Sequence, residues 1–277
     1  MVVRGKLAAA ILIGSALFAG EASRADEAIV LASTTSVENS GLLEHIVPEF
    51  TRETGISVRV LAQGTGQALA TAAHGDADLV LVPDPEAEAQ FIAQGHGVDR
   101  RQIAWNDFIV VGPRADPAHV AGGHDAVAAF TAIAAADAPF VSRGDKSGTD
   151  ALEKRLWRAA GSDPARAGGG SWYRDIGGGM GAALNTASAM GAYPLSDRGT
   201  CLSFGNKGGP TVLIEGDPRL LSRYDVILLD PQKHPEAKQL PARRFADWLA
   251  SAAGQAAIGA YELNGEQLFH PSATDPK

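Results

Sequence analysis

Residues 142–149 have the sequence Ser-Arg-Gly-Asp-Lys-Ser-Gly-Thr, and a run with helical character, residues 150–160, follows them directly. The first turn of a helix exposes backbone N–H groups that lack intrahelical partners, and it carries a partial positive charge. Hydroxyl groups and a guanidinium at such a turn bring more hydrogen-bond donors into a small space. This stretch therefore predicts a loop and helix start that bind a tetrahedral oxyanion.

Each polar residue of this stretch has a separate predicted role. Arg143 supplies the positive charge, and Asp145 holds the guanidinium in orientation. The hydroxyls of Ser147 and Thr149 and the backbone N–H of Gly148 donate to the anion, which approaches closely because glycine has no side chain. The alternative interpretation is a surface turn with an ordinary serine or threonine helix cap.

A second group of hydroxyls occupies residues 33–36, Ser-Thr-Thr-Ser, directly after a strand-like run at 28–32. One helix cap needs a single hydroxyl, so four in succession favour a binding role over capping alone. The loop Gly64-Thr65-Gly66 follows the next predicted strand and places one more hydroxyl in an equivalent position. The donors predicted from these two loops are Thr34, Thr35, Ser36 and Thr65.

Strand-like and helix-like segments alternate over the first part of the chain, a pattern typical of β-loop-α units and a mostly parallel sheet. The predicted strands span 28–32, 56–62, 78–82 and 106–112, and the predicted helices span 41–53, 67–74 and 86–94. Loops rich in serine, threonine or glycine follow these strands, at the edge where ligands bind in open α/β sheets. A later set of short strands predicts a second lobe.

Two α/β lobes with a ligand cleft between them account for this pattern better than one continuous sheet does. The predicted division is a signal peptide at 1–25, a first lobe at 26–111, a second lobe at 112–228 and a return to the first lobe at 229–277. The hydroxyl loops then belong to the first lobe and the Arg143 loop to the second. An anion held between the lobes contacts both sets, and its binding favours closure.

The N-terminus has the features of a secretory signal. Arg4 and Lys6 precede an apolar run at 7–18, and Ser23-Arg24-Ala25 offers small residues at the cleavage positions. The apolar run is shorter than the roughly 20 residues that a membrane span needs. The one cysteine, Cys201, is far from this point, so no lipid anchor is expected. We therefore expect a periplasmic protein that is not inserted in the membrane.

The composition argues against several classes of partner and activity. Removing residues 1–25 takes away three of the 24 basic and one of the 32 acidic residues, which leaves a net charge of −10. Such an acidic chain is a poor partner for nucleic acid or an anionic membrane. The seven histidines show no metal-binding spacing, and no nucleophile elbow or dinucleotide fingerprint is present. We predict a binding protein, not an enzyme, with no cofactor, bound metal or catalytic residue.

Beyond these local features, the chain resembles the tungstate-binding (TupA-type) components of bacterial ABC importers over nearly all of its length after the signal. The motifs that carry the resemblance are Ser33-Thr34-Thr35-Ser36, Ser40-Gly41-Leu42-Leu43, Gly64-Thr65-Gly66-Gln67-Ala68-Leu69, Gly75-Asp76-Ala77-Asp78, Asn106-Asp107-Phe108, the Arg143 loop, Gly179-Met180-Gly181-Ala182, Asp197-Arg198-Gly199-Thr200, Glu215-Gly216-Asp217-Pro218-Arg219 and Asn264-Gly265-Glu266-Gln267-Leu268-Phe269. The family often has His-Ala-Pro where this chain has Pro83-Asp84-Pro85, and tryptophan where it has Cys201. Asp84 thus adds negative charge near the predicted cleft.

The resemblance implies a type II periplasmic binding protein that holds tungstate in an interlobe cleft and delivers it, as a monomer, to a membrane permease. Molybdate is an alternative ligand, because its size and charge are nearly those of tungstate. Phosphate is another, since the Arg143 stretch also resembles that of phosphate-binding proteins. A partly protonated phosphate benefits from a carboxylate acceptor, whereas tungstate needs donors only. A secreted phosphoesterase is the alternative from a different class.

Overall fold

The computed structural model describes residues 27–164, 170–205 and 209–273, so the predicted signal peptide lies outside it. The helices are α1 (Thr35–Asn39), α2 (Leu42–Thr54), α3 (Thr65–Ala73), α4 (Pro85–Ala93), α5 (Ala126–Ala135), α6 (Gly148–Ala159), α7 (Met180–Met190), α8 (Arg198–Ser203), α9 (Gln239–Ala250) and α10 (Ala252–Gly259). None of these described helices has both the length and the apolar character needed to cross a bilayer.

The strands alternate with the helices along the chain. They are β1 (Ala28–Thr34), β2 (Ser57–Gln63), β3 (Leu79–Val82), β4 (Gly97–Gly112), β5 (Phe140–Ser142), β6 (Tyr173–Asp175), β7 (Leu195–Asp197), β8 (Thr211–Ile214), β9 (Leu221–Leu229), β10 (Glu262–Leu263), β11 (Glu266–Gln267) and β12 (His270–Pro271). Strands β1 to β3 and helices α2 to α4 begin and end close to their predicted positions, because each has a local signal. Gly55, for example, ends α2 with a left-handed φ of 73°.

The main sheet has the order β12-β4-β9-β3-β1-β2. Strand β1 pairs in parallel with β2 and β3, as the β-loop-α pattern predicts. Strand β9 is antiparallel to both β3 and β4, and β4 is antiparallel to β7 and β8. The sheet is therefore mixed, where the sequence predicted a mostly parallel one. Antiparallel pairing of distant strands leaves no signal in the local β-loop-α pattern.

The two largest groups of buried apolar side chains both include residues of β4. One group packs Phe50 and Phe245, from α2 and α9, beneath the main sheet and includes Ala104 of β4. The other includes Val110 of β4 and packs it with Trp157 and other side chains of α5 and α6. This pattern is compatible with two lobes, and the lobe boundaries stay predictions.

Candidate functional site

The hydroxyl loop that follows β1 forms the start of α1. Thr34 is the N-cap of α1, where its Oγ1 accepts a hydrogen bond from the backbone N–H of Val37 at 3.2 Å and lies 2.9 Å from Oγ of Ser36. Thr35 and Ser36 are exposed. Ser33 is buried and donates to a carbonyl of β3 at 2.8 Å. Ser33 thus stabilises the sheet, whereas the next three hydroxyls lie at the junction of β1 and α1.

The loop after β2 lies beside this one because the parallel register aligns the two strand ends, with Thr34 opposite Gln63. Gly64 follows, and Thr65 is the first residue of α3. Oε1 of Gln63 accepts a hydrogen bond from Thr71 at 2.9 Å, which fixes the side chain. We call the resulting surface the hydroxyl wall, and its members are Thr34, Thr35, Ser36, Gln63 and Thr65.

The Arg143 side chain, directly after β5, is held from two directions. Its Nε and Nη2 both donate to Oδ2 of Asp145, the former at 3.0 Å, and its Nη1 donates to Oγ1 of Thr149 at 3.2 Å. Only 13% of the Arg143 side chain is exposed. Burial acts to raise the pKa of Asp145, but hydrogen bonds from Ser147 and the charge of Arg143 lower it below its ordinary value. Asp145 therefore orients the guanidinium as a carboxylate.

The Arg143 loop has a backbone shape that requires glycine at position 144. Gly144 has a φ of 61°, and a Cβ there would lie 1.6 Å from Oδ1 of Asp175. That oxygen accepts a hydrogen bond from the backbone N–H of Gly177, and the N–H of Gly178 donates to the carbonyl of Arg143 at 2.8 Å. The segment after β6 therefore supports the loop by direct contact.

Two longer helices begin beside Arg143. Helix α6 begins at Gly148, and its N-cap Ser147 accepts a hydrogen bond from the backbone N–H of Asp150 at 3.3 Å. Helix α7 begins at Met180, after Gly179, which offers no side-chain cap. A capping hydroxyl keeps its own hydrogen to donate, and the first N–H groups of both helices lack intrahelical partners. We call this surface the arginine wall, and its members are Arg143, Ser147, Gly148, Gly179 and Met180.

The hydroxyl wall and the arginine wall enclose one cavity of about 110 Å³. Roughly 10–15 Å³ is enough for one water, so this space admits a ligand several times larger. The residues that line it are Thr34, Thr35, Ser36, Asn39, Gln63, Gly64, Thr65, Arg143, Ser147, Gly148, Gly179, Met180, Asp197 and Thr200. Neutral donors, helix N-termini and one guanidinium around a small volume form a suitable site for an oxyanion.

Of the eight ligand-binding residues predicted from the sequence, the structure brings seven to the lining of this cavity. Thr34, Thr35, Ser36, Thr65, Arg143, Ser147 and Gly148 are in the lining. Thr149 is only 5% exposed and accepts a hydrogen bond from Arg143 instead. Thr149 lines the adjoining larger cavity, together with Ser36 and Gly148, so its role as an anion donor stays a prediction.

Sequence reasoning missed other residues of the cavity lining. Gln63 is the last residue of β2 and Asn39 the last residue of α1, and both lie close to predicted donors. Gln63 reaches the lining because the register of β1 and β2 places it opposite Thr34, which the sequence alone does not show. Gly177-Gly178-Gly179 directly precedes Met180, the first residue of α7, and such a glycine run is a usable signal for a helix N-terminus without a side-chain cap. Thr200 enters from a later part of the chain. It lies beside Asp197-Arg198, for which the sequence leaves open a role in lining the cleft or an ordinary ion pair and favours the ion pair.

Asp197 is the acidic residue in the lining of this cavity. It ends β7 and caps α8, where its Oδ1 accepts a hydrogen bond from the backbone N–H of Thr200 at 2.7 Å. Within the described parts of the chain its Oδ2 receives no hydrogen bond. Arg198 turns away and forms ion pairs with Asp107 and Glu215, each at 2.7 Å. Arg198 therefore has a structural role, while Asp197 keeps one carboxylate oxygen available.

A buried carboxyl group lies behind the arginine wall. Glu153, on α6, is 2% exposed and accepts hydrogen bonds through Oε1 from Trp157 at 3.2 Å and from the hydroxyl of Tyr173 at 3.0 Å. Burial raises its pKa to about 7, even though these hydrogen bonds lower it. Tyr173 belongs to β6, which pairs with β5 directly before Arg143. Glu153 thus ties α6 to the strands that carry the loop.

Metal binding has no obvious site in the parts of the chain that the structure describes. No group of three or more histidine, cysteine, aspartate or glutamate side chains there is arranged to hold a metal ion. Cys201, on α8, is half-buried, and burial raises the pKa of its thiol.

The mixed sheet, the two apolar cores and a polar cavity between two walls define the class of periplasmic binding proteins. A family model described as the PBP superfamily domain matches residues 19–253. The tungstate-binding protein TupA of Peptoclostridium acidaminophilum is 41% identical over 257 residues, which cover 91% of this chain and 88% of that protein.

Two solved structures extend the comparison. The tungstate-binding protein TupA of Desulfovibrio alaskensis G20 has a TM-score of 0.83 and 41% identity, covering 90% of this chain and 100% of that one. The tungstate ABC transporter protein of Geobacter sulfurreducens has a TM-score of 0.74 and 38% identity, covering 85% of this chain and 99% of that one. The chain belongs to the TupA family of the periplasmic binding protein superfamily. The predicted periplasmic binding protein fold and the resemblance are thus confirmed, while the prediction of a mostly parallel sheet was wrong.

Proposed function

We propose that this chain binds tungstate, as the WO₄ dianion, between the hydroxyl wall and the arginine wall and delivers it to the permease of an ABC importer. The observation that carries the proposal is the single cavity that seven of the residues predicted from sequence line together. Among oxyanions of similar shape, we choose tungstate because the relatives are named as tungstate-binding proteins.

Donors from both walls are needed for the proposed mechanism. A tetrahedral dianion accepts hydrogen bonds on every oxygen, and neither wall surrounds it alone. Binding therefore stabilises the arrangement in which the two walls are close together, because only that arrangement brings the donors of both walls to the ligand. Arg143 is already oriented by Asp145 and Thr149, so little side-chain entropy is lost when it meets the ligand.

Competition calorimetry tests the proposal. Sodium tungstate, sodium molybdate, sodium sulfate and sodium phosphate are titrated separately into the protein from which residues 1–25 are absent. We expect tungstate to bind, molybdate to compete with it because size and charge are nearly equal, and sulfate and phosphate to bind more weakly. Absence of a binding signal for tungstate, with binding of another oxyanion, overturns the tungstate assignment.

Phosphate is the second candidate, and Asp197 is the observation that favours it. A free carboxylate oxygen in the lining accepts a hydrogen bond from a protonated oxyanion and repels one that has no proton. Asp197→Asn separates the two cases, because asparagine also caps helices well and keeps α8 in place. The variant is expected to bind tungstate at least as tightly as the wild type. A selective loss of phosphate binding in Asp197→Asn, with phosphate the tighter ligand of the wild type, supports the second candidate.

We further propose a periplasmic location, cleavage after Ala25, a monomeric state and a role without turnover. Residues 1–25 have the features of a secretory signal, and the relatives are named as binding proteins. Mass spectrometry of the protein isolated from the periplasmic fraction is expected to give an N-terminus at Asp26. Incubation with p-nitrophenyl phosphate is expected to release no product above the buffer control.

A further inference from the structure

Two larger cavities adjoin the oxyanion cavity, and both lie between the start of α4 and helix α6. Their volumes are about 360 and 470 Å³. Asp84 and Glu86, at the start of α4, line both of them, and Arg155 of α6 also lines both. Glu86 and Arg155 therefore face the same open space from opposite sides.

The charges on the two sides are opposite and unpaired. Among the described residues, Glu86 and Arg155 form no hydrogen bond or ion pair, and Asp84 only caps α4 by accepting from the backbone N–H of Ala87 at 3.1 Å. Arg158 and Lys146 also line the second cavity without a side-chain partner in the described chain. An acidic helix start thus faces a basic helix surface.

Arg155 is half-buried, which makes its lack of a partner notable. A nearby lysine on the same helix shows the contrast, since Lys154 pairs with Asp150 at 2.7 Å. The separation across a cavity, in water and salt, leaves little attraction between single charges, whereas contact within about 4 Å forms an ion pair. Any approach of the two sides therefore gains interactions that the present arrangement lacks.

We propose that Asp84 and Glu86 form ion pairs with Arg155 across these cavities when the two walls close on an oxyanion, and that these pairs tighten binding without contacting the ligand. The proposal rests on the proposed function, since a bound oxyanion draws the walls together. An interaction present only in the closed state contributes its whole free energy to that state and slows ligand release.

A simpler electrostatic effect makes the opposite prediction for one variant. If Arg155 merely attracts the anion through space, then Glu86 repels it, and removing the Glu86 charge strengthens binding. If Glu86 pairs with Arg155 on closure, the same change weakens binding. Glu86→Gln therefore separates the two explanations by the direction of the effect.

The test titrates sodium tungstate into the wild type, Glu86→Gln, Arg155→Gln and the double variant in about 50 mM salt. We expect Glu86→Gln to bind about two- to fivefold more weakly, and the double variant to bind no more weakly than Arg155→Gln alone. The difference is expected to shrink in about 500 mM salt. Equal or tighter binding by Glu86→Gln at low salt overturns the proposal.

Each matched control removes a charge of the same sign as Glu86 or Arg155, at a position that lies outside the two cavities. Asp76→Asn and Arg114→Gln change exposed residues that line neither cavity, and both are expected to bind tungstate as the wild type does. The exchange Glu86→Arg with Arg155→Glu restores an opposite pair and is expected to recover most of the affinity lost by Glu86→Arg alone. Failure of the exchange to recover affinity contradicts a direct pair.

Small-angle X-ray scattering gives a second readout, of closure itself. Saturating sodium tungstate is expected to lower the radius of gyration of the wild type in about 50 mM salt. At a tungstate concentration near the wild-type Kd, Glu86→Gln is expected to show a smaller decrease. A wild type that binds no tungstate refutes the proposed function, whereas a wild type that binds and a Glu86→Gln variant that responds equally overturn the ion pairs alone.

Discussion

The hydroxyl wall and the arginine wall line the same cavity, but they are built differently. The hydroxyl wall offers neutral side chains that, apart from the buried Thr34, are at least partly exposed, and Thr34 and Ser36 bond within their own segment. The arginine wall carries the cation, and its loop is fixed by Asp145, Thr149 and Asp175. The difference indicates that charge recognition belongs to the second wall, while the first completes the coordination of the anion.

Replacement of Arg143 tests this division most strongly. Arg143→Ala removes a charge-assisted hydrogen bond worth roughly 1.5–3 kcal/mol, so tungstate affinity should fall at least about tenfold in calorimetry. Arg143→Lys keeps the charge but loses the planar fork held by Asp145, and intermediate affinity is expected. Unchanged affinity in Arg143→Ala would show that Arg143 does not contact the anion, and charge recognition could not be assigned to the arginine wall.

The rigidity of the arginine wall is tested by Gly144→Ala. The added Cβ meets Asp175, and alanine is strained at a φ of 61°, so the free energy of unfolding should fall by roughly 1–3 kcal/mol. Gly177→Ala is the matched control, since its φ of 59° is equally strained but open space surrounds the new Cβ. Denaturant unfolding should show the larger loss for Gly144→Ala. Equal losses in the two variants would mean that the Asp175 contact is unimportant.

The buried carboxyl behind the arginine wall gives a prediction about pH. The pKa of Glu153 is about 7 in the folded protein, above the ordinary value of 4.5, because burial disfavours the charged form. Between these two values the folded state holds a proton that the unfolded state releases, so its contribution to stability falls as pH rises. Each unit of pKa difference corresponds to roughly 1.4 kcal/mol.

Glu153→Gln should therefore gain stability relative to the wild type as pH rises from 4.5 to about 7, since glutamine has no proton to lose. Denaturant unfolding at several pH values measures the difference between the two proteins, and other titrating groups cancel in that difference. A difference that does not change over this range would contradict the raised pKa of Glu153.

The smallest expected effect concerns a single donor of the hydroxyl wall. Thr65→Val keeps the side-chain shape and removes one neutral hydrogen bond, worth roughly 0.5–1.5 kcal/mol, so tungstate affinity should fall about two- to tenfold in calorimetry. Thr131→Val is the control, because Thr131 is an exposed residue of α5 outside the cavity. A loss for Thr65→Val as large as that for Arg143→Ala would show that the two walls contribute equally.

Local signals in the sequence predicted most of the elements that carry the site. The hydroxyl runs, the glycine that ends α2 and the Arg143 stretch each specify a loop or helix boundary within a few residues. The antiparallel course of β4 and β9 was not predictable in this way, because it depends on pairing between residues more than 100 positions apart. Asp197 entered the cavity lining through that same long-range topology, as part of a strand paired with β4.

Thr149 shows a second limit of pattern-based prediction. Its residue type and position at a helix start suit an anion donor, but which way a first-turn side chain points depends on the packing of α6 against β7 and α5. The sequence places the hydroxyl near Arg143 and does not say on which side of the guanidinium it lies.

The first apolar core joins residues from both ends of the chain. Ile29 and Leu31, near the start, pack in the same cluster as Phe245, Ile258 and Phe269. During synthesis on the ribosome, this core lacks a large part of its apolar surface until the last helices have emerged. The nascent chain therefore stays without its main source of cooperative stability for most of translation, and this delay suits the export that we propose.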